Sequence, residues 1–177
     1  MSLKKQIILM SLWSVIVWFQ PLLQKIQQKF ELKNRPLTEA EKKLASSIFG
    51  NSLNMDSVRI IAHRAVLPHY AISPNGYIYF NIKDWCENFA DQPIHQQAWL
   101  IHELTHVWQI QQGLAVVRKA LFNRQYRYAL KQGKQFLSYG IEQQAQMVQD
   151  YFLKKHYGEE CSAYEQCIPF VAHKASF

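Results

Sequence analysis

Ile101-His102-Glu103-Leu104-Thr105-His106 is the stretch on which the reading of this chain turns. It has the form H-E-x-x-H, which carries a metal-site meaning only if it lies on a helix. Its surroundings predict one. No glycine or proline falls between Pro93 and Gly113, Asp91 is placed to cap the start, Pro93 suits a first turn and Gly113 suits the end. Ala98, Leu100, Ile101, Leu104, Val107, Trp108 and Ile110 are apolar, so the helix is expected to run buried through the domain. On it His102 and His106 stand one above the other on the same face. Two imidazoles so placed can hold one metal ion through their ring nitrogens, and Zn2+ is the expected ion. Glu103, about 100° further round the helix, lies beside that ion as a general base for a bound water. The competing reading is an ordinary buried helix with two satisfied histidines.

A catalytic zinc takes three protein ligands and keeps a fourth position for water. A third histidine in the metzincin arrangement would need glycine at 109 and histidine at 112, where this chain has Gln109 and Gln112. The remaining ligand must come from a later helix. Tyr139-Gly140 reads as a helix start, and Ile141, Ala145, Val148 and Phe152 then recur at helical spacing. Glu142 falls in the first turn, where the helix dipole favours an anion. It is the first candidate, against a merely solvated glutamate there. Asp150, two turns along on roughly the same side, is the fallback. His95 lies about 10 Å from His102 along the axis, too far to share one ion.

Further out, Val58–Ala62 reads as a strand and Ala71–Ile82 as a hairpin about the turn Pro74-Asn75-Gly76. Such an edge near the metal helix offers main-chain groups to an extended peptide, or is a plain structural hairpin. Between Leu104 and Ile141 there is no acidic residue, while Arg118, Lys119, Arg124, Arg127, Lys131 and Lys134 alternate with Phe122, Tyr126 and Tyr128. The bland reading is a solvated basic face, with anionic lipid or nucleic acid as sharper ones; nucleic acid is not the favoured partner. Tyr139, next to Glu142 in sequence, is a candidate donor to the oxyanion of a scissile carbonyl.

The bulk numbers agree with one domain. The chain has 177 residues, 49% apolar and 19% charged, which excludes a disordered chain or a coiled coil, and a net charge of +7 that suits anionic surroundings. Three cysteines cannot make a disulfide framework; at most Cys161 pairs with Cys167, leaving Cys86 free. Residues 1–34 read differently from the rest. Ile7 to Leu23 is a nearly unbroken apolar run of 17 residues, followed by an amphipathic stretch to Phe30 and a polar joint at Glu31–Pro36. Residues 7–23 are read as an uncleaved membrane anchor, with a cleaved signal peptide and a helix packed on the domain as alternatives.

Several separate strings then occur in a telling order: Arg35-Pro36-Leu37-Thr38-Glu39-Ala40-Glu41, Ile48-Phe49-Gly50, Val58-Arg59-Ile60, Pro74-Asn75-Gly76 with Ile78-Tyr79-Phe80, Leu100 to Gln109, and Tyr139-Gly140-Ile141-Glu142-Gln143-Gln144-Ala145. Together they resemble the small zinc-metallopeptidase-like proteins associated with bacterial Rhs and Vgr elements, and hence with type VI secretion. The resemblance runs from about Arg35 to Phe152. It implies an α+β, zincin-like fold of the gluzincin kind over residues 35–177, with His102, His106 and Glu142 as ligands and Glu103 as base. One departure stands out: four residues after Glu142, where that pattern often carries an acid that orients a histidine, this chain has Gln146, so Asp150 is the candidate replacement.

The resulting expectation is a zinc-dependent hydrolase of peptide bonds at a membrane or in the cell envelope, with a cytoplasmic location as the alternative. Its substrate would be a peptide or protein, cell-wall peptide included, and secretion-system components its partners. The other class is a non-catalytic metal-binding accessory protein of a secretion or membrane assembly.

Overall fold

The computed structural model describes residues 30–114, 116 and 125–171. Strand β1 (Glu31–Pro36) leads into helix α1 (Glu39–Phe49), followed by β2 (Arg59–His63), β3 (Ala71–Ile72) and β4 (Ile78–Phe80). Among the described residues three further α-helices are delimited after them: α2 (Ile94–Gln111), α3 (Ile141–His156) and the short α4 (Ser162–Cys167). This is a mixed α+β arrangement with one small sheet in the order β1-β2-β4-β3. The middle pair β2–β4 is parallel and both outer pairs are antiparallel.

The burial of each strand follows its place in the sheet. Ile60, Ile61 and Ala62 of β2 and Ile78, Tyr79 and Phe80 of β4 are buried, giving the near-continuous apolar runs of interior strands. The polar stretch Glu31–Pro36, expected as a joint, is instead edge strand β1, bonded to β2 from Glu31↔His63 to Pro36↔Arg59. An edge strand with mostly exposed side chains reads like a linker because its pairing energy lies in the backbone. Pro36 sits at the strand's end, where a missing N–H is tolerated. The predicted hairpin forms between β3 and β4. Asn75 accepts from the Tyr77 N–H at 3.2 Å and Gly76 takes a φ of 87°, a conformation that glycine adopts without strain.

The string Arg35 to Glu41 joins the edge of the sheet to α1. Thr38 caps α1 in a reciprocal capping box with Glu41. Glu41 is fully buried, and Arg35 grips it with two bonds of 2.7 and 2.8 Å. Arg35 also donates to the Cys86 carbonyl, and Glu41 accepts from the Phe89 N–H at 2.7 Å. One ion pair thereby fastens β1, α1 and the loop leading to α2.

Helix α2 spans the predicted residues, and Ala98 and every residue from Leu100 to Gln109 are buried. Its start differs from expectation: Pro93 is the cap residue, and Asp91 accepts from the Asn88 side chain in the preceding turn. Gly113, with φ of 76°, closes the helix by donating to Ile110 while Leu114 donates to Gln109. Helices α2 and α3 pack on each other, sharing one apolar core with the sheet through Leu100, Leu104, Met147 and Tyr151. The three cysteines are free, so Cys161 and Cys167 do not pair. The apolar segment 7–23 lies outside the described residues. No helix among the described residues is long and apolar enough to cross a membrane.

Candidate metal centre

His102 and His106, one turn apart on α2, meet the first turn of α3 from the side. Their Nε2 atoms lie 3.4 and 3.2 Å from the same carboxylate oxygen, Oε2 of Glu142. One ligand atom from each of the three residues lies within 4.8 Å of the others. All three side chains are buried, so two nitrogens and an oxygen converge inside the protein. Gly140 opens α3 without a side chain, and Gln143 accepts its N–H at 3.0 Å. Glu142 is thereby set at the positive end of the helix.

The protonation of His106 is fixed by a chain of amides. Gln109 Nε2 donates to the Ile141 carbonyl and to Gln144 Oε1, both at 3.0 Å. A peptide carbonyl can only accept, so the nitrogen of Gln109 must face α3 and its oxygen must face His106, 2.8 Å from Nδ1. Nδ1 therefore carries a proton, and the lone pair of a neutral His106 lies on Nε2, facing Glu142. Gln144 continues the chain by donating to the Tyr139 carbonyl at 2.8 Å. This is the form of a metal-ligating histidine held by an outer partner.

Electrostatics favour a cation here. Burial pushes the Glu142 carboxyl up, but the bonds from His102 and His106 outweigh it and hold it well below the usual carboxylate range. Burial pushes His106 down, and Glu142 together with the nearby charge of Glu103 more than reverses this, so its pKa is raised. Two buried carboxylates thus draw positive charge onto His106. A divalent ion on Nε2, Nε2 and Oε2 would satisfy the same field, and the donor set suits zinc.

Glu103 is 4% exposed and accepts a 2.8 Å bond from the hydroxyl of Ser73, in the turn after β3. The other predicted residues lie elsewhere. The Tyr139 hydroxyl donates to the Ala129 carbonyl and accepts from the Lys131 N–H, so it is spent on the loop before α3. Asp150 accepts from Tyr128 at 2.6 Å and Gln146 at 2.8 Å and orients neither histidine. Nδ1 of His102 is buried with no hydrogen-bond partner among the described residues. The tyrosine at the cluster is Tyr126, its ring centroid 6.1 Å from that of His102. His95 is exposed. Arg118, Lys119, Phe122 and Arg124 lie outside the described residues.

Ser73, Gln109, Gln144 and Tyr126 are not identifiable as site residues from the sequence alone. Gln109 stands out there only as the residue that rules out the metzincin pattern. Ser73 has no sequence signal at all.

The fold and site define an α+β domain with a candidate metal centre on an H-E-x-x-H helix, closed by a glutamate of the neighbouring helix. The chain belongs to the family of the VgrG2b effector domain of type VI secretion. It is 35% identical to the solved effector domain of Pseudomonas aeruginosa VgrG2b, with a TM-score of 0.66, covering 75% of this chain and 80% of that one. It is also 38% identical over 145 residues to the type VI secretion system spike protein VgrG2b of Pseudomonas aeruginosa. That match takes in 73% of this chain and spans 14% of the spike protein's length. No family profile matches the sequence.

Proposed function

We propose that this domain is a zinc-dependent peptidase acting as a type VI secretion effector. The observation that carries the reading is the convergence of His102, His106 and Glu142 beside a buried Glu103 that none of them neutralises by direct bonding. His102 and His106 would hold the ion through Nε2 and Glu142 through a carboxylate oxygen. A bound zinc supplies an acidified water and polarises a carbonyl. Glu103 takes the proton of the attacking water and returns it to the leaving amine. The Ser73 hydroxyl occupies Oε2 of Glu103, which leaves Oε1 for that proton. Tyr126, whose ring stands against that of His102, would line the path of the substrate at the cluster.

A purely structural zinc site is closed by four protein ligands, whereas only three are found among the described residues. That favours the enzyme over the non-catalytic accessory protein. Peptide or protein, cell-wall peptide included, is the substrate on this reading, and secretion-system components are its partners. A membrane or envelope location rests on residues 7–23 and on the secretion relationship. The test is stoichiometric zinc in the purified chain together with peptide hydrolysis that disappears in Glu103→Gln while zinc stays bound. A chain without zinc, or a Glu103→Gln variant with unchanged hydrolysis, refutes the proposal.

A further inference from the structure

Beside the cluster lies a cavity of about 610 Å3 whose wall includes Tyr126, Arg127, Tyr128, Tyr164, Gln146 and Asp150. Tyr126 joins the two, since its ring also stands against His102. We infer that this cavity receives a lysine or arginine side chain of the substrate, an assignment that rests on the peptidase reading and names its specificity. The cation would be met by Asp150, and the stem would pack on the tyrosine rings.

The carboxylate in this wall is held in place by its neighbours. Tyr128 has one hydroxyl proton and gives it to Asp150 at 2.6 Å, so Tyr164, 3.1 Å away, must donate to the Tyr128 oxygen. Burial and the bond to Asp150 both hold the Tyr128 hydroxyl in its protonated form. Asp150 accepts two bonds, from Tyr128 and Gln146, out of about four that a carboxylate can take. Among the described residues no lysine or arginine forms an ion pair with it, although Arg127 borders the same cavity. A half-buried carboxylate with no ion-pair partner among the described residues, set among three aromatic rings, offers a cation both charge and π faces.

Distance selects the length of the guest. Glu142, Gln146 and Asp150 follow each other at four-residue steps along one face of α3, which puts Asp150 about 12 Å along the axis from the metal ligand. Lysine and arginine, the longest cationic side chains, come nearest to closing that distance from a backbone held at the cluster.

The experiment uses the full zinc-loaded chain carrying Glu103→Gln, so that peptide binds without being cut. Blocked alanine pentapeptides with lysine, arginine, norleucine or glutamate at the centre are titrated calorimetrically. The lysine and arginine peptides should bind about tenfold or more tighter than the norleucine peptide. Asp150→Asn keeps an acceptor for Tyr128 and should erase that preference while leaving the norleucine affinity as it was. Tyr126→Leu, which leaves Asp150 untouched, should lower it several-fold. Equal affinities, a glutamate preference, no binding of the lysine peptide, or a preference that survives Asp150→Asn each overturns the inference. Zinc content and hydrolysis are measured separately. A zinc peptidase without the preference loses this inference alone, and a zinc-free chain that keeps it loses the peptidase reading alone.

Discussion

Ser73 donates its hydroxyl to Glu103 across 2.8 Å inside the protein, although 30 positions separate them in sequence. The turn between β3 and β4 thereby holds the group on α2 that the proposed chemistry uses as its base. A hydrogen bond to a buried charged group contributes about 1.5–3 kcal/mol. Ser73→Ala should cost stability in that range and lower kcat about tenfold, with zinc content unchanged. Denaturant titration, metal analysis and steady-state kinetics on one preparation check this. Unaltered kcat would remove Ser73 from the positioning of Glu103.

Gln109 sets the tautomer of His106, so its loss should appear first in metal affinity. Gln109→Leu should weaken zinc binding roughly 10- to 100-fold, as outer partners of ligating histidines generally do. Gln109→Glu keeps the acceptor for Nδ1 but sets an oxygen against the Ile141 carbonyl, so it should recover only part of that loss. Competition with a chromophoric chelator reads the difference directly.

The metal-free domain should have a defined pH optimum of stability. His106 is raised above its ordinary 6.5, so its contribution is complete below that value and fades as pH climbs through the folded pKa. Glu142 is depressed below its ordinary 4.5, so its contribution is complete above that value and fades as pH drops through the folded pKa. The two overlap fully between 4.5 and 6.5, where chelator-treated protein should melt highest. Zinc needs a neutral His106, so the stabilisation from added zinc should grow as pH rises from that window. Melting curves across pH with and without zinc test both parts.

The Arg35–Glu41 pair is a structural tie outside the metal site. Glu41→Gln leaves the half-buried Arg35 without its counter-charge, and should destabilise the domain by about 3 kcal/mol. Replacing Arg35 and Glu41 together by Met and Leu should cost less than that single change. Urea midpoints of the two variants, compared at equal slope, decide it.

The parts of this molecule that are legible in the sequence are those whose signal is local. His102 and His106 announce themselves by spacing on an apolar helix, and Glu142 by its place just after a helix-opening glycine. The hairpin about Asn75 and Gly76 is written in its turn residues. The hidden parts depend on contacts between distant segments. Ser73 is one serine in a turn until the fold brings it to Glu103. Gln109 and Gln144 look like solvent-facing amides until α2 and α3 pack. Tyr139 is nearest to Glu142 along the chain, yet its hydroxyl turns to the loop at Ala129, while Tyr126, from further away, reaches His102. Strand β1 reads as a joint because exposed polar side chains leave no pattern when the backbone does the pairing.

The candidate metal ligands come from two helices that touch only after the chain has folded, and the histidine on one is steered by carbonyls belonging to the other. Occupancy would therefore work as a clasp between α2 and α3. Prying the helices apart releases the ion, and an ion in place resists the prying, with a stabilisation that grows with the logarithm of free zinc above the dissociation constant. The folded lifetime of a zinc-loaded chain would follow the zinc supply of the compartment that receives it.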